Sequence, residues 1–223
     1  MHLNADLSQR VVIDTNTVQW VSSPANGVDR RMLDRIGDEV AVATTIVRYL
    51  PQTGFHSHTH GAGEEILVLQ GSFSDEHGDY PPGTYLRNPP GTSHAPRPEA
   101  GCTIFVKLRQ FTPGDTQQLV LRTAQGQWLD TGSVGVQCQP LHSASGIDTQ
   151  LLRFAPGAVQ SAQQHAGGFE LLLLEGQLHD AQGSYAAGAW LRYPRGSSSA
   201  FVAGPAGAQV FVKTGHIGAT FVT

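Results

Sequence analysis

The chain has 223 residues, of which 39% are hydrophobic and 14% charged, and its formal net charge is -4 at pH 7. It contains no run of lysine or arginine, which argues against a nucleic-acid surface because such surfaces carry basic patches. No stretch approaches the roughly 18 apolar residues of a membrane span, and the first ten residues lack the apolar core of a secretory signal. We therefore expect a cytoplasmic protein with neither nucleic-acid nor membrane partners.

Short apolar runs, separated by glycine and proline, follow one another along the chain. They are VAVATTIVRYL (40–50), EEILVLQG (64–71), CTIFVKL (102–108), TQLLRFA (149–155), FELLLLEG (169–176) and AQVFVK (208–213). Runs of this length at regular spacing are typical of strands in a sandwich or barrel. Only residues 30–36 could form a helical turn or two, so the sequence predicts an all-β fold.

The two cysteines, Cys102 and Cys138, are far apart in the chain and belong to no C-x-x-C pair. Two reduced, partly buried thiols are the expected state for such residues. A disulfide between them is the alternative, which the sequence leaves open.

An internal repeat organises the chain. Residues 71–94, GSFSDEHGDYPPGTYLRNPPGTSH, match residues 176–199, GQLHDAQGSYAAGAWLRYPRGSSS, at a constant offset of 105. The shared glycines and prolines predict turns with positive or fixed φ in both copies. We therefore predict two copies of one domain, a metal-binding domain over 1–120 and a metal-free domain over 121–223, with the junction within 112–130.

The first copy contains a pattern typical of a metal site. Alternate residues of a strand face the same side, so His56, His58 and His60 can point the same way in HSHTHGAGEEILVLQG (56–71). Glu64 follows after a glycine turn, and His94 follows the turn RNPPGTSH. Imidazole and carboxylate suit zinc and the middle transition metals. We predict His58, His60, Glu64 and His94 as ligands of one divalent ion, with His56 as a pocket residue.

The second copy has lost this pattern. Its corresponding positions carry Gln163, His165, Phe169 and Ser199. One imidazole cannot hold a divalent ion tightly, so this copy is predicted to be a metal-free scaffold, dimer surface or ligand pocket, with Phe169 as an apolar plug. Glu65 aligns with Glu170, where the other ligands are gone, and is therefore expected to be structural.

These residues resemble the two motifs of the cupin superfamily. His58-Thr59-His60, three residues, Glu64, six residues and Gly71 fit the first motif, although Gln52 stands where its leading glycine belongs. The second motif is matched by Gly83, Pro89, Gly91 and His94, with Pro98 in place of its final asparagine. The resemblance implies two tandem jelly-roll β-barrels, a bicupin, and the same four metal ligands.

Within cupins, the segment EEILVLQGSFSDEHGDYPPGTYLRNPPGTSHAP (64–96) resembles the C-terminal cupin of ChrR-type anti-sigma factors. This resemblance implies zinc at the four ligands and a part in the response to singlet oxygen. Such proteins bind their sigma factor through a separate N-terminal helical domain with a His-x-x-x-Cys-x-x-Cys cluster. The chain contains no such cluster, so we expect the sigma-binding domain to be absent and no sigma factor to be bound.

Two functional hypotheses follow. The first is a regulatory or stress-sensing protein with a closed zinc site, in which His56, His77 and Cys102 are side chains that reactive oxygen could modify. The second is a dioxygenase acting on a small dicarbonyl or aromatic compound, with iron, manganese or nickel keeping two open positions. In that case His56 would be an acid–base group, and Tyr85 or Phe105 would line the pocket unless they are core residues.

A metal-stabilised scaffold without a ligand is a third, simpler possibility. The sequence identifies no catalytic residue and no substrate. A small-molecule ligand and a homodimer are both possible, since cupins commonly associate through strand exchange or sheet packing.

Overall fold

The computed structural model of the chain describes residues 1–38, 40–53 and 57–222. In chain order its strands are β1 (His2–Leu3), β2 (Val11–Asp14), β3 (Val21–Ser22), β4 (Val28–Gly37), β5 (Ala41–Tyr49), β6 (His58–Thr59), β7 (Glu64–Gly71), β8 (Phe73–Asp75), β9 (Gly78–Tyr80), β10 (Thr84–Asn88), β11 (Ser93–His94), β12 (Cys102–Leu108), β13 (Leu119–Arg122), β14 (Leu129–Asp130), β15 (Val136–Ala144), β16 (Ile147–Phe154), β17 (Val159–His165), β18 (Phe169–Asp180), β19 (Gly183–Ala186), β20 (Ala189–Tyr193) and β21 (Ser197–Thr214). The helical content of the described residues is one 3-10 turn, Thr123–Gln125. The all-β prediction is therefore confirmed, and no described helix has the length and apolar content needed to cross a membrane.

The segment that was expected to allow a helical turn, residues 30–36, is a strand. It belongs to β4, which pairs antiparallel with β5 and has a register shift between Met32 and Asp34. A bulge breaks the alternation of faces, so buried Leu33 follows Met32 directly and Ile36 comes three residues later. That spacing imitates a helix in the sequence, but the hydrogen bonds to β5 determine the extended conformation.

The chain divides into two compact units. Unit 1 comprises Met1–Ala5, Val18–Gln125 and the residues from Thr220 onward, and unit 2 comprises Asp6–Thr17 and Gly126–Ala219. The sequence-based boundaries, 1–120 and 121–223, assign Asp6–Thr17 to the first domain, whereas the structure assigns this segment to unit 2. The difference arises because β2 lies in this segment and pairs with β20, so backbone pairing rather than chain order decides which unit a strand belongs to.

Unit 1 is built on one large antiparallel sheet with the strand order β1-β4-β5-β12-β7-β10-β13, and β3 also pairs with β4. The short strands form two small sheets, β6 with β11 and β8 with β9. Because β7 lies between β12 and β10, its first residues are held on both sides. The position of β7 matters for the site, since Glu64 is its first residue.

Unit 2 is built on a sheet with the order β14-β15-β16-β21-β18-β20-β2, in which β17 also pairs with β21 and β19 with β18. The internal sequence repeat is visible in this strand order. β18 and β20 begin 105 residues after β7 and β10, respectively. β18 pairs with β20 just as β7 pairs with β10. Each unit has a separate apolar core, which in unit 1 includes Ile66, Val68, Ile104 and Val106, and in unit 2 includes Leu171, Leu173, Val210 and Val212.

Each sheet also buries a glutamate between two cationic side chains. Glu65 lies opposite Arg87 on one neighbouring strand and Lys107 on the other, and none of the three is more than 2% exposed. The Tyr85 hydroxyl donates a hydrogen bond to Glu65 Oε1 at 2.6 Å. The arrangement recurs in unit 2 with Glu170, Arg192 and Lys213. This supports the structural role expected of Glu65, and Tyr85 and Phe105 are both buried packing residues.

Gly71 and Gly176 occupy the same position in the repeat, and both have the left-handed backbone that the shared glycines predicted, with φ of +68° and +75°. At Gly176 a Cβ atom would overlap the carbonyl oxygen of Gly207 on the neighbouring strand β21. Glycine is therefore required here by two independent constraints, the sign of φ and the close approach of another backbone.

We expect Gly176→Ala to destabilise unit 2 far more than Gly196→Ala, although both glycines have a φ of +75°. A Cβ at Gly196 meets no atom within 4 Å, so that substitution adds only left-handed strain, about 1–2 kcal/mol. The backbone overlap at Gly176 should raise the loss above about 4 kcal/mol. Urea unfolding followed by circular dichroism measures both, and equal losses would contradict the argument.

Candidate metal centre

Three short pieces of backbone in unit 1 bring four metal-binding side chains together. β6 supplies His58 and leads directly to His60, and β11 pairs with β6 so that His94 lies opposite His58. Glu64 begins β7, one tight turn after His60. The nitrogen and oxygen atoms that these residues offer all lie within 4.8 Å of one another. We call this group the His/Glu cluster.

The cluster is compact and mostly buried. His60 Nε2 lies 3.3 Å from Glu64 Oε2, and His94 Nε2 lies 3.5 Å from the same oxygen. The three imidazole rings meet edge to face, with centroids 4.7–5.1 Å apart. His58 is exposed, whereas the other three residues are buried. The structure thus brings together all four predicted residues, while His56 lies outside the described residues.

His60 is oriented to present a lone pair to the cluster. Its Nδ1 lies 3.0 Å from the Thr92 hydroxyl oxygen, and that hydroxyl donates its own hydrogen to the Pro89 carbonyl at 2.7 Å. Nδ1–H is therefore the donor, which leaves Nε2 unprotonated. Nε2 is buried and has no hydrogen-bond partner among the described residues, because its contact with Glu64 is an ion-pair distance without hydrogen-bond geometry. A cation at this position would satisfy it.

His94 is held by a carboxylate that the sequence analysis did not select. Its Nδ1 lies 3.3 Å from Asp75 Oδ2, and Asp75 Oδ1 accepts hydrogen bonds from the Tyr80 hydroxyl and the His77 backbone N–H. Burial tends to raise the pKa of Asp75, but these hydrogen bonds hold it below its usual range. An ionised carboxylate behind a histidine fixes its ring orientation and makes the other nitrogen a better ligand. Asp75 aligns with Asp180 in the repeat, which was the available sequence signal.

Glu64 is also ionised. Burial opposes ionisation, yet the nearby imidazoles of His60 and His94 lower the pKa of Glu64. The Asn88 side-chain amide donates to Glu64 Oε2 at 3.4 Å. Burial, together with the negative charge of Glu64, raises the pKa of Tyr49 well above its ordinary value. The donor set is therefore three imidazoles and one carboxylate, which fits a borderline divalent cation.

The turn between His60 and Glu64 is fixed by a segment that follows β12. Gly63 has a φ of +85°, and a Cβ atom there would overlap the Phe111 ring. The Arg109 backbone N–H donates to the Gly63 carbonyl at 2.9 Å. Farther along, Asp115 receives two hydrogen bonds from buried Arg87, at 3.1 and 2.7 Å. The Phe111 ring therefore packs against this turn and helps to set the position at which β7 begins with Glu64.

Unit 2 uses the corresponding positions differently. His165 Nε2 lies 2.8 Å from the Ser199 hydroxyl, and its ring stacks on Phe169 with centroids 4.4 Å apart. Phe169 belongs to the apolar core. Asp180, the counterpart of Asp75, is bound by Arg10 and by two tyrosine hydroxyls instead of a histidine.

Two side chains named as targets of reactive oxygen have contrasting environments. His77 is exposed, whereas Cys102 is buried, and burial raises the pKa of its thiol to about 12. Because the thiolate is the reactive form, Cys102 is a poor target at neutral pH. Cys102 and Cys138 are both free thiols, as expected.

The fold and the cluster define a class of protein, the bicupin, in which the first of two tandem cupin domains carries a His/Glu cluster able to hold a divalent metal. A family model described as the ChrR cupin-like domain matches residues 8–112 and again residues 116–218. The chain belongs to this family. The double match confirms that the chain contains two copies of one domain.

Solved structures share this fold at low sequence identity. A candidate dioxygenase from Nostoc punctiforme is 17% identical, with a TM-score of 0.76 over 97% of this chain and 87% of that one. The E. coli protein YlbA is 15% identical, with a TM-score of 0.72 over 94% and 92%. A variant of oxalate decarboxylase from Bacillus subtilis is 13% identical, with a TM-score of 0.65 over 92% and 77%. Comparison with curated proteins finds no match.

We expect Asp75→Asn to weaken metal binding by about 10–100-fold, because His94 loses the charge that orients it. Competition with a chromophoric chelator measures the affinity for zinc. Asp180→Asn is the matched control, since it removes the equivalent carboxylate of unit 2 and should leave the affinity unchanged. Equal weakening by both substitutions would show that the effect comes from general destabilisation.

Proposed function

We propose that the chain holds one zinc ion through His58, His60, Glu64 and His94 and that it acts as a regulatory, stress-sensing cupin of the ChrR-like family. The observation that carries this proposal is the buried His60 Nε2, which lacks a hydrogen-bond partner among the described residues and faces an ionised carboxylate. Zinc bound here would have a structural role. It is a Lewis acid and has no redox chemistry of its own.

The spacing of the donor atoms fits one small divalent ion. Ligands at about 2.0–2.1 Å from a tetrahedral zinc ion lie about 3.3–3.4 Å from one another, whereas adjacent ligands of an octahedral ion at the same distance lie about 2.8–3.0 Å apart. The separations of 3.3 and 3.5 Å from Glu64 Oε2 are near the tetrahedral value, while the four donor atoms together spread over as much as 4.8 Å, so zinc is proposed on the donor types. Three imidazoles and one carboxylate would complete such a shell.

A complete shell favours a regulatory role over catalysis, because catalytic zinc keeps one position for water or substrate. The dioxygenase alternative needs two open positions on a redox metal. Its support is a structural likeness at 17% identity, which concerns the fold alone. We therefore retain the regulatory function as the proposal.

The protein's own part in sensing follows from how the ligands are supported. β6 and β11 pair over two residues each, and two further backbone hydrogen bonds, from the His60 N–H to the Thr92 carbonyl and from the Gly91 N–H to the His60 carbonyl, continue this small sheet. A metal ion would join this small sheet to β7 through Glu64. His58, the one exposed member of the cluster, is the ligand that reactive oxygen reaches first, and its loss would release the small sheet.

The remaining expectations stay predictions that belong to this proposal. They are a cytoplasmic location, the absence of sigma-factor binding, a small-molecule ligand and a homodimer. A pull-down with a sigma factor tests the second of them, and a negative result is expected.

Elemental analysis of protein purified without added metal should find zinc at about one equivalent per chain, and oxygen electrodes should detect no uptake with dicarbonyl or aromatic substrates. His94→Ala should lower the zinc content by at least about tenfold, because one of four ligands is lost. His165→Ala is the matched control in unit 2 and should keep full zinc content. Iron at one equivalent, with substrate-dependent oxygen uptake, would replace this proposal by the dioxygenase.

Removing the metal with a chelator should increase hydrogen exchange at His58–Thr59 and Ser93–His94, since the ion would tie that small sheet to β7. Gln163 and Ser199 of unit 2 are paired at the corresponding positions, and their exchange should not change. Mass spectrometry of peptides from both units provides the readout. Unchanged exchange in unit 1 would contradict a regulatory role that works through metal loss.

A further inference from the structure

Unit 2 contains a cavity of about 350 Å³ at the position that the His/Glu cluster occupies in unit 1. Three of the four cluster positions have their counterparts in the lining, whereas Ser199, the counterpart of His94, does not line the cavity. Gln163 and His165 line the cavity where His58 and His60 stand in unit 1, and Phe169 lines it where Glu64 stands. This volume falls within the range of small-molecule sites, about 300–1,000 Å³.

The described lining carries no formal charge. It is made of glutamines, glycines, small or apolar residues, one threonine and His165. Burial lowers the pKa of His165, so its imidazole is neutral at pH 7. An ionic ligand would lose part of its hydration at this half-open cavity without meeting an opposite charge, which is unfavourable.

The lining nevertheless offers hydrogen bonds. The side-chain amides of Gln150 and Gln164 have no hydrogen-bond partner among the described residues, and each amide presents two N–H donors and one carbonyl acceptor. Leu152 and Val212 form an apolar floor beneath the same cavity, and neither is more than 5% exposed. A complementary ligand therefore has an apolar face and an edge that carries both a donor and an acceptor.

We propose that this cavity of unit 2 binds a small, flat, uncharged amide whose adjacent N–H and C=O groups lie within a ring or are attached to one. Glutamine amides pair with such an edge through two parallel hydrogen bonds, the geometry in which glutamine reads adenine. The proposal does not depend on the metal in unit 1. It gives the second copy a binding role of its own, although it lacks three of the four residues of the His/Glu cluster.

The test is saturation-transfer NMR on the full chain with nicotinamide and 2-pyridone as probes, each at up to about 10 mM, a range that detects the millimolar affinities usual for ligands of this size. Nicotinate is the matched charged probe, since it has the ring of nicotinamide and a carboxylate in place of the amide. Both amides should receive saturation, nicotinate should receive none, and prior treatment with a chelator should change neither result.

Gln150→Leu should weaken nicotinamide binding about three- to tenfold, the loss expected for one hydrogen bond. Gln70→Leu, an exposed glutamine of unit 1, is the matched control and should have no effect. The proposal is overturned if neither amide receives saturation, if nicotinate binds as well as nicotinamide, or if Gln150→Leu leaves binding unchanged. Binding that disappears with the chelator would assign the probe to unit 1 and would also overturn it.

Discussion

The candidate metal centre depends on one backbone constraint, the tight turn that places His60 and Glu64 around a single point. Metal coordination tolerates errors of only about 0.2 Å in ligand distance, so the start of β7 has to be fixed accurately. Gly63 allows this because it has a left-handed backbone and leaves room for the Phe111 ring. The ring and the hydrogen bond from the Arg109 N–H to Gly63 hold the turn from one side.

A second constraint is the register of β7. Glu64 and Glu65 point to opposite faces because they are neighbours on a strand, and a slip of one residue would exchange them. Glu65 lies between Arg87 and Lys107 on the adjacent strands. A slipped strand would bury Glu65 away from these cations, which would be strongly unfavourable. The buried charges therefore help to keep Glu64 in the cluster.

The two copies show how one scaffold can support different chemistry. The shared glycines and the glutamate between two cations are retained in both units, and so is the carboxylate at Asp75 and Asp180. In unit 1 that carboxylate orients His94, whereas in unit 2 it pairs with Arg10 and tyrosine hydroxyls. A few side-chain differences separate the His/Glu cluster of unit 1 from the uncharged cavity of unit 2, because the backbone beneath them is held by other residues.

The sequence by itself determined the all-β class, the duplication and the four members of the His/Glu cluster, because each is visible as local spacing: apolar runs, a fixed offset and alternate histidines. Only the tertiary structure decided that residues 30–36 are a strand, that β2 belongs to unit 2 and that Asp75, Thr92 and Phe111 support the site. These features depend on which strands become neighbours. Pairing between distant segments leaves no periodic mark within either of them, so local pattern cannot reveal it.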